Sequence, residues 1–524
     1  MITALAKSGE TVHLVCQENH PDRYDAVTEA YKHRLDGTLE TKLQRDTPYS
    51  GKCILHQPEI GDTLPVFVKD KYEEFDNVVP MIELPDDAIE LYISRNLEVV
   101  RRIVREHDIS AIHANHAVLM PVVAQRVSRE TGVPYFVMPH GSDIEYAVKK
   151  DERFKQYASS ALDDAKRIFV IGNEMRTRVS TVFADLPSIE SKCTELHLGV
   201  DASQFEPVAK DQREHNITSL ELALANIPRG KKPEQSIEML KAVSGPLDRN
   251  QLKSVFDNGA RYDGKSPDAD AEEKLRTVDW DRDPVLLFTG RILSPKGIHS
   301  VIAALPLILE QRPELRFIIV GHGPLREPME ALIHALRTGD RALVRNIIAW
   351  GHWLEGSPEG EESSDDLVQL TRFFDSLIQK GDEDHYFEAA QRFLKPHTVI
   401  FTGYLTHKEL RFLFPCGDVG VFPSIVREAG PLVFLEALAS GCFPLGTYFG
   451  GMAASIDAVS SGLLPEVGET MKLHLDHTVE DLVTKVPRAL SLSPSYKQSL
   501  ATVARERYDW TSVANTFREE LRTP

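Results

Sequence analysis

Short apolar segments alternate with helical stretches along most of the chain, and this alternation constrains the fold more than any other feature. Each segment is rich in β-branched residues and stops at Gly, Pro or polar residues. Runs of this kind are typical of parallel strands covered by helices on both faces. They form an early set, at 12–17, 66–69, 109–115, 135–141, 168–172 and 195–199, and a late set, at 285–290, 316–321, 398–403, 419–423 and 443–446.

The two sets predict two doubly wound α/β domains, with ligands bound at the carboxyl ends of the strands and the active site in a cleft between the domains. The predicted parts of the chain are a first α/β domain at 1–202, a helical insertion or linker at 203–283, a second α/β domain at 284–480 and C-terminal helices across the domains at 481–524. A further helical insertion is predicted at about 326–396, inside the second domain.

The start of the chain is incomplete for a domain of this class. It reads as a helix, a glycine and then a strand, which is the second half of a β-α-β unit. We therefore expect the first domain to lack its first, central strand, and the true start to lie upstream of Met1. An unfilled slot would leave two strand edges unpaired.

Composition excludes some classes of function. A net charge of −19 over 524 residues argues against a general surface for nucleic acid or anionic membranes. The five cysteines are scattered, so we expect free thiols in a reducing cytoplasm and neither a disulfide nor a zinc site. No apolar run approaches the roughly 20 residues of a membrane span, and no signal peptide is evident. We expect a cytoplasmic protein, and peripheral attachment to a membrane stays open.

A basic, glycine-punctuated segment at 289–297, Thr-Gly-Arg-Ile-Leu-Ser-Pro-Lys-Gly, follows the first strand of the late set. Its loop carries Arg291 and Lys296 and leads into a helix predicted to begin at Ile298. Arginine offers a planar fork for two phosphate oxygens and lysine a mobile point charge, so together they can neutralise a leaving diphosphate. Taken alone, the segment is equally well explained as a solvated basic turn.

The segment at 421–441, Val-Phe-Pro-Ser-Ile-Val-Arg-Glu-Ala-Gly-Pro-Leu-Val-Phe-Leu-Glu-Ala-Leu-Ala-Ser-Gly, predicts a strand, a loop and a short helix. Gly430 and Pro431 stand where the helix begins, and Gly441 stands where it ends. The first N–H groups of such a helix point beyond the sheet edge. They form an anion site.

Two glutamates flank this anion site. Glu436 lies in the second turn of the predicted helix, where it can accept two hydrogen bonds from a ribose diol. Glu428 lies in the loop, within reach of the hydroxyls of a sugar. Carboxylates in these places suit a sugar diphosphate better than a bare phosphate. Both can also be ordinary surface carboxylates, since glutamate pairs at this spacing occur often by chance.

In the early set, His140 follows a buried strand, and Gly141 allows a ligand to approach closely. A lone histidine at a strand end is more often structural than catalytic, but the expected position at the cleft favours a role in the site. His113 and His116 also end a strand and lack a third ligand with recognisable spacing. We therefore expect packing or a wall of the cleft there, and no metal site.

At this point the motifs resemble, in order, those of the nucleotide-sugar glycosyltransferases of family 4, also called glycosyl transferases group 1. Each motif is weak alone, and the ordered set is specific. The matching segments cover nearly the whole chain outside the two insertions. They are His140-Gly-Ser-Asp143, Leu198-Gly-Val-Asp201, Gly290-Arg291, Lys296-Gly297, Gly321-His-Gly-Pro324, Phe401-Thr-Gly-Tyr-Leu405 and the pair Glu428 and Glu436.

The resemblance implies a GT-B fold, in which two Rossmann-like domains face each other, the first for the acceptor and the second for the nucleotide sugar. It implies a hexosyltransferase that moves a sugar from a nucleotide-diphosphate sugar to an acceptor hydroxyl with retention at the anomeric carbon. No cofactor and no essential metal are expected. The acceptor is a carbohydrate, a lipid-linked molecule or a small molecule. No nucleic-acid partner is expected, and a homo-oligomer stays open.

The resemblance also implies site residues. His140 and Glu428 are the predicted catalytic residues: His140 contacts the transferred sugar near its reacting face, with Asp143 in support, and Glu428 orients that sugar. The predicted donor-binding residues are Gly290, Arg291, Lys296, Tyr404, Leu405, Ala429, Gly430, Pro431, Leu432, Val433 and Glu436.

Within the donor-binding set, the implied roles divide by part of the donor. Arg291 and Lys296 hold the diphosphate, and Glu436 holds the ribose. Tyr404 and Leu405 line the base. The backbone amides around 430–433 hold the donor sugar together with the loop glutamate.

Two features depart from the family pattern: the missing first strand with its glycine-rich loop, and the length of the two insertions. Two alternatives to an active transferase therefore stay open. One is a non-catalytic nucleotide-sugar-binding subunit or truncated inactive homologue. The other is a GT-B sugar-nucleotide epimerase, which needs acid and base carboxylates around the donor. The sequence names neither the sugar, the base nor the acceptor.

Overall fold

The computed structural model describes residues 1–67, 75, 77–356, 364–427, 430 and 432–523. The chain divides into two compact units. The first consists of Met1–Gly199 with Asp509–Pro524, and the second is Val200–Tyr508. Each unit carries mostly parallel sheets with helices between the strands, as the alternating apolar runs predict.

The first unit contains ten strands and seven helices among its described residues. The strands are β1 Thr11–Val15, β2 Val27–His33, β3 Leu39–Gln44, β4 Lys52–Pro58, β5 Thr63–Val66, β6 Asn77–Pro80, β7 Ile112–Asn115, β8 Tyr135–Met138, β9 Arg167–Val170 and β10 Cys193–Glu195. The helices are α1 Ile2–Lys7, α2 Asp86–Glu106, α3 Met120–Thr131, α4 Glu152–Asp164, α5 Gly172–Val182, α6 Ile189–Lys192 and, near the end of the chain, α22 Trp510–Arg522.

These strands form two four-stranded sheets and one pair. The orders are β1-β4-β2-β3 and β10-β9-β8-β7, with β5 beside β6. All pairings are parallel except that of β2 with β3. Among the described residues, β1 and β7 each lie at the edge of a sheet. The eight strands therefore form two separate sheets in the described part of the chain, and β1 does not pair with β7.

The second unit contains six strands and fifteen helices among its described residues. The strands are β11 Val285–Thr289, β12 Arg316–Val320, β13 Val399–Gly403, β14 Val419–Phe422, β15 Phe443–Thr447 and β16 Lys472–Leu473. The helices are α7 Arg213–Leu224, α8 Pro233–Ala242, α9 Arg249–Gly259, α10 Ala271–Leu275, α11 Ile298–Gln311, α12 Arg326–Thr338, α13 Arg341–Ala349, α14 Gly351–Glu355, α15 Val368–Lys380, α16 Glu383–Phe393, α17 His407–Leu413, α18 Leu432–Ala439, α19 Gly450–Ser460, α20 Pro465–Thr470 and α21 Thr478–Tyr508.

The strands of the second unit form one parallel sheet in the order β13-β12-β11-β14-β15-β16. This is the doubly wound order of a dinucleotide-binding fold, and the strand order reverses between β11 and β14. Five of the six strands, β11 to β15, are almost wholly buried, because helices cover the sheet.

The strands of the first unit differ from those predicted. The run at 195–199 is not a strand: β10 ends at Glu195, and the chain then leaves the sheet towards Gly199, which packs against the indole of Trp510. Strands β2, β3, β4 and β6 were not predicted. Of the predicted strand at 66–69, residues 68 and 69 lie outside the described residues, and β5 ends at Val66. Much of β3 is exposed, and charged or polar residues interrupt its apolar pattern and that of β2, so neither has the continuous apolar run of a buried strand.

The remaining segments are helical. The segment from α7 to α10 lies before β11, and the segment from α12 to α16 lies between β12 and β13. Of the last two helices, α21 belongs to the second unit and α22 to the first. All five cysteines are free thiols, four of them buried. Among the described residues, no helix is both long and apolar enough to cross a membrane.

Candidate functional site

Two loops are locked together at the carboxyl edge of the six-stranded sheet, where the strand order reverses. The backbone N–H of Ile425 and the hydroxyl of Ser424 both donate to the carbonyl of Pro295, at 2.9 and 3.0 Å. Gly297 has φ of 70°, and a Cβ there would lie 1.9 Å from the carbonyl oxygen of Pro423. The loop that follows β11 is therefore held against the loop that follows β14, where ligands of such sheets bind.

The loop after β11 is also locked to the loop after β12. The N–H of Ile292 donates to the carbonyl of His322 at 2.8 Å, and the N–H of Leu325 donates to the carbonyl of Ile292 at 3.1 Å. A Cβ on Gly321 would lie 1.8 Å from the carbonyl oxygen of Gly290. The Gly-His-Gly-Pro motif therefore lets the backbone of the loop after β12 lie close to that of the basic loop, and this contact fixes the basic loop.

The basic loop presents the two predicted phosphate-binding side chains. Arg291 is exposed at its start. Lys296 is half-buried at the end of a short 3₁₀ turn, Ser294–Lys296, and its N–H donates to the carbonyl of Leu293 at 3.0 Å. Helix α11 begins at Ile298, as predicted.

Helix α18 follows β14 and carries Glu436, which is 5% exposed. Its Oε1 lies 2.6 Å from Nδ1 of His407, whereas its Oε2 is buried and has no hydrogen-bond partner among the residues that the structure describes. A buried carboxylate oxygen without a donor is costly, so Glu436 is an acceptor that a ligand can satisfy.

The remaining predicted residues of this segment divide into two groups. Glu428, Ala429 and Pro431 lie outside the described residues. Gly430 and Val433 are half-buried, and Leu432, the first residue of α18, is 41% exposed. Of the predicted residues that the structure describes in this segment, Leu432 is thus the most exposed.

His407 was not among the predicted site residues. It is the first residue of α17, behind a capping box formed by Thr406 and Glu409. The hydrogen bond to Glu436 raises the pKa of His407. The sequence Thr-His-Lys-Glu signals the start of a helix, but nothing in it indicates a partner in another helix.

Tyr404 and Leu405, predicted to line the base, differ in exposure. Tyr404 is 36% exposed, and Leu405 is buried at 4%. The ring of Tyr404 stands edge-on to that of His322, with centroids 5.4 Å apart. The backbone N–H of Tyr404 donates to the carbonyl of Ser266 at 3.2 Å. A single bridge between Pro267 and Gly403 extends this contact.

A buried network of charges anchors the segment around Asp268 to α12. The guanidinium of Arg326, 1% exposed, donates twice to the Asp268 carboxylate, at 2.7 and 2.6 Å, and once to Glu330 at 3.0 Å. The ammonium of Lys231 bridges Glu327 and Glu330, each at 2.9 Å. Because every charge has an opposite partner, the network can remain ionised away from water.

In the first unit, Asp143 organises the loop that carries His140. Its side chain is fully buried and accepts from the N–H groups of Ala117 at 2.5 Å, His140 at 3.2 Å and Ile144 at 2.9 Å. A carboxylate that accepts several backbone N–H groups fixes the direction of the chain. The Asp143 carboxylate therefore fixes the backbone of the loop that carries His140, and its role in a sugar site stays a prediction.

His140 is held by a residue that the sequence did not single out as a site residue. Its Nε2 lies 2.9 Å from Oδ1 of Asn115, the last residue of β7, and its ring centroid lies 4.8 Å from that of His116. Burial lowers the pKa of His140, and Asp143 partly opposes that effect. The imidazole is consequently neutral near pH 7, available for hydrogen bonding to hydroxyls.

His113 packs against Phe169 and Phe517, with ring centroids 5.8 and 5.0 Å away, and its burial lowers its pKa to about 4. In the described part of the chain, no three His, Cys, Asp or Glu side chains are grouped to hold a metal ion. The packing interpretation of His113 is thus the one that the geometry favours.

Family models account for more than half of the chain. The model "Glycosyl transferases group 1" matches residues 270–345 and 376–487, and the model "Glycosyltransferase Family 4" matches residues 61–204. The chain belongs to this glycosyltransferase family. Its α/β units are those of the GT-B class, and the prediction of family and fold class is confirmed.

Curated relatives are glycosyltransferases of low identity. Sulfoquinovosyl transferase SQD2 of Arabidopsis thaliana is 24% identical over 295 residues, 55% of this chain and 43% of that enzyme. The alpha-D-kanosaminyltransferase of Streptomyces kanamyceticus is 26% identical over 144 residues, 28% of this chain and 36% of the enzyme. The chain thus spans less than half the length of these curated relatives.

Solved structures resemble the chain only loosely. Sucrose-phosphate synthase from Thermosynechococcus elongatus has a TM-score of 0.47 and 14% identity, with 98% of each chain covered. The Anabaena protein HepE in complex with UDP-glucose has a TM-score of 0.43 and 14% identity, with 82% of each chain covered.

Proposed function

We propose that this glycosyltransferase takes a sugar from a nucleotide-diphosphate sugar and transfers it to an acceptor hydroxyl with retention at the anomeric carbon. One observation carries the proposal. At the switch point of the second unit, the basic loop after β11 is locked to the loop after β12 and to the loop after β14, which leads towards helix α18. A cationic loop and a helix start suit a diphosphate.

The donor is proposed to lie along this edge. Arg291 and Lys296 neutralise the diphosphate, and Glu436 accepts hydrogen bonds from the ribose. The exposed part of Tyr404, beside His322, offers an aromatic edge to the base. The proposed reaction needs no metal, because the guanidinium and the ammonium supply the positive charge at the leaving group.

In the proposed reaction the bond between the anomeric carbon and the phosphate oxygen breaks, and the nucleoside diphosphate departs with the electron pair. The acceptor oxygen bonds to the anomeric carbon on the face that the diphosphate leaves. The acceptor proton passes to an oxygen of the departing phosphate. His140 and Glu428 are proposed to hold the hydroxyls of the transferred sugar, with the Asp143 carboxylate fixing the His140 loop.

The first test is nucleotide binding. Calorimetry of the full chain with UDP, ADP and GDP, each in EDTA, should show one strong binder. Arg291→Ala and Glu436→Ala should weaken it by about tenfold or more, the effect of about 1.4 kcal/mol lost. Arg505→Ala and Glu388→Ala remove exposed side chains and serve as matched controls. Unchanged affinity in both site variants would contradict the assignment of the site.

The second test separates transfer from binding. The full chain is incubated with the matching nucleotide sugars, and sugar release and anomeric configuration are followed by NMR. Slow hydrolysis to the same anomer as the donor supports a retaining transferase. Tight binding without turnover, with or without added carbohydrate acceptors, points instead to a binding subunit, and an epimeric nucleotide sugar points to an epimerase.

A further inference from the structure

The turn that carries Lys296 is held by a helix that the family model does not match. That model leaves a gap between residues 345 and 376, and α14 lies inside the gap. Helix α14 packs against the turn Ser294–Lys296. One partner in this contact, the helix, therefore lies outside the residues that the family model matches.

Both oxygens of Glu355, the last residue of α14, engage Ser294. The N–H of Ser294 donates to Oε1 at 3.1 Å, and its hydroxyl donates to Oε2 at 2.5 Å. The side chain of Glu355 is 8% exposed, and Ser294 is 2% exposed. A shielded carboxylate that accepts both a backbone N–H and a hydroxyl makes strong, directional bonds.

His352, one turn earlier on α14, completes the group. Its Nδ1 lies 3.2 Å from the Ser294 hydroxyl and 3.6 Å from Oε2 of Glu355. The neighbouring Glu355 carboxylate, an acceptor for the imidazole, raises the pKa of His352. A protonated imidazole offsets the negative charge of the carboxylate, which would otherwise oppose an anion bound next to it.

The helix is itself fixed from behind. The N–H of His352 donates to the carbonyl of Asp365 at 2.9 Å, and a Cβ on Gly351 would lie 2.3 Å from the side chain of Leu367. The guanidinium of Arg249 lies 4.4 Å from the centre of the Trp353 ring. These contacts give Glu355 a rigid base from which to act on the loop.

The turn Ser294–Lys296 is thus held by hydrogen bonds from two different segments. Glu355 holds Ser294, and the loop after β14 holds the carbonyl of Pro295. Two hydrogen bonds within the turn, from Lys296 to Leu293 and from Gly297 to Ser294, both 3.0 Å, carry that constraint to the backbone of Lys296. Fixing this backbone reduces the conformational freedom that a lysine must lose to hold a phosphate.

We infer that Glu355 is a positioning residue for donor binding: it fixes the Ser294 turn so that the ammonium of Lys296 meets the donor diphosphate. This inference rests on the proposed function for the diphosphate. Helix α14, in the helical segment between β12 and β13, would then support the donor site through the Ser294 turn.

The first measurement needs no ligand. In Glu355→Ala, hydrogen–deuterium exchange should speed up in a peptide that covers 290–297, and exchange in β12 should stay as in the wild type. Glu355→Gln keeps one acceptor and one donor for Ser294, so it should restore most of the protection. Glu388→Ala, an exposed glutamate on α16, is the matched control. Unchanged exchange at 290–297 in Glu355→Ala overturns the inference.

The second measurement is a double-mutant cycle on affinity for the nucleoside diphosphate that binds the wild type. Glu355→Ala should weaken binding by about tenfold, as expected when a buried hydrogen-bonded carboxylate is removed. In the Lys296→Ala background the same change should cost little, because its target is absent. If the losses of binding free energy in the two single variants add up to the loss in the double variant, the inference is overturned. If the wild type binds no nucleoside diphosphate, the proposed function fails, and the exchange experiment still decides the role of Glu355.

Discussion

Nδ1 of His407 lies 2.6 Å from Oε1 of Glu436, although the two residues belong to different helices of the second unit. His407 is the first residue of α17, and Glu436 lies within α18. The histidine is 65% exposed and the glutamate 6% exposed, so the imidazole covers the carboxylate from the solvent side. A ribose diol that hydrogen-bonds to both carboxylate oxygens of Glu436 would therefore reach the buried Oε2 and take the place of His407 at Oε1.

This competition predicts a pH dependence of donor binding. The hydrogen bond to Glu436 raises the pKa of His407, and Glu409 adds to the effect. The protonated form holds the carboxylate most strongly, so the cost of displacing it falls as the pH rises through that raised pKa. We expect nucleoside diphosphate affinity to improve by a few-fold, roughly two to five, from about pH 6 to about pH 8.5, a modest effect because His407 is largely exposed.

His407→Ala should bind more tightly than the wild type at low pH and should lose this dependence, apart from the titration of the nucleotide itself. Calorimetry across the pH range measures both. His385→Ala removes another exposed histidine that contacts a carboxylate, Glu310, and is the control. A pH profile that is the same in His407→Ala and the wild type would show that the histidine does not compete with the donor.

Acid stability should depend on the buried network of α12. Burial alone raises the pKa of Glu330, but Lys231 and Arg326 outweigh it and lower the pKa to about 2. A depressed carboxyl pKa gives stability that is present above the ordinary glutamate pKa near 4.5 and is lost as the pH falls towards about 2.

Glu330→Gln should therefore unfold more easily at pH 7, by about 3 kcal/mol, because two buried cations lose a partner. Its free energy of unfolding should also fall less steeply than that of the wild type between about pH 5 and about pH 3. Urea unfolding at each pH measures both quantities, with Glu388→Gln as control. An unaltered slope would remove Glu330 from the account of acid stability.

Gly297 should tolerate no side chain. A Cβ there would lie 1.9 Å from the carbonyl oxygen of Pro423, and its φ of 70° is in the left-handed region. We expect Gly297→Ala to lose about 2–4 kcal/mol of stability and most nucleotide affinity, because the two loops must separate. Gly462→Ala, where nothing lies within 4 Å, should change neither quantity.

The His140 loop should depend on Asp143. In Asp143→Ala three backbone N–H groups lose their acceptor, so we expect about 3 kcal/mol or more of lost stability. Asp143→Asn keeps the volume and one acceptor oxygen and should lose less. Thermal unfolding gives the ranking, and faster hydrogen exchange around His140 should accompany it. Equal stability of the two variants would mean that the buried carboxylate does not organise the loop.

The sequence predicted the second unit better than the first for a physical reason. Strands β11, β12, β14 and β15 are buried on both faces, so each is a continuous apolar run with a glycine or proline near its end. Strand β3 lies at a sheet edge and carries exposed charged residues, so no periodicity marked it.

The candidate site was predicted where local spacing defines it and missed where contacts are distant. The loops of Arg291 and of α18 follow strands directly, and their glycines and prolines are visible in the sequence. The hydrogen bond between Ser294 and Glu355 joins residues that are 61 positions apart in the sequence. The contact between His407 and Glu436 joins two different helices. Such pairings depend on tertiary packing, which single-sequence patterns do not encode.

The last helix has a consequence for how the protein is made. Helix α22 belongs to the first unit, where Phe517 packs on His113 and Phe169, and Arg518 pairs with Glu10 at 2.7 Å. Residues 1–199 are synthesised before the second unit but lack these partners until residues 509–523 have followed it. We therefore expect the unit that is synthesised first to be completed last, after the second unit has had time to fold.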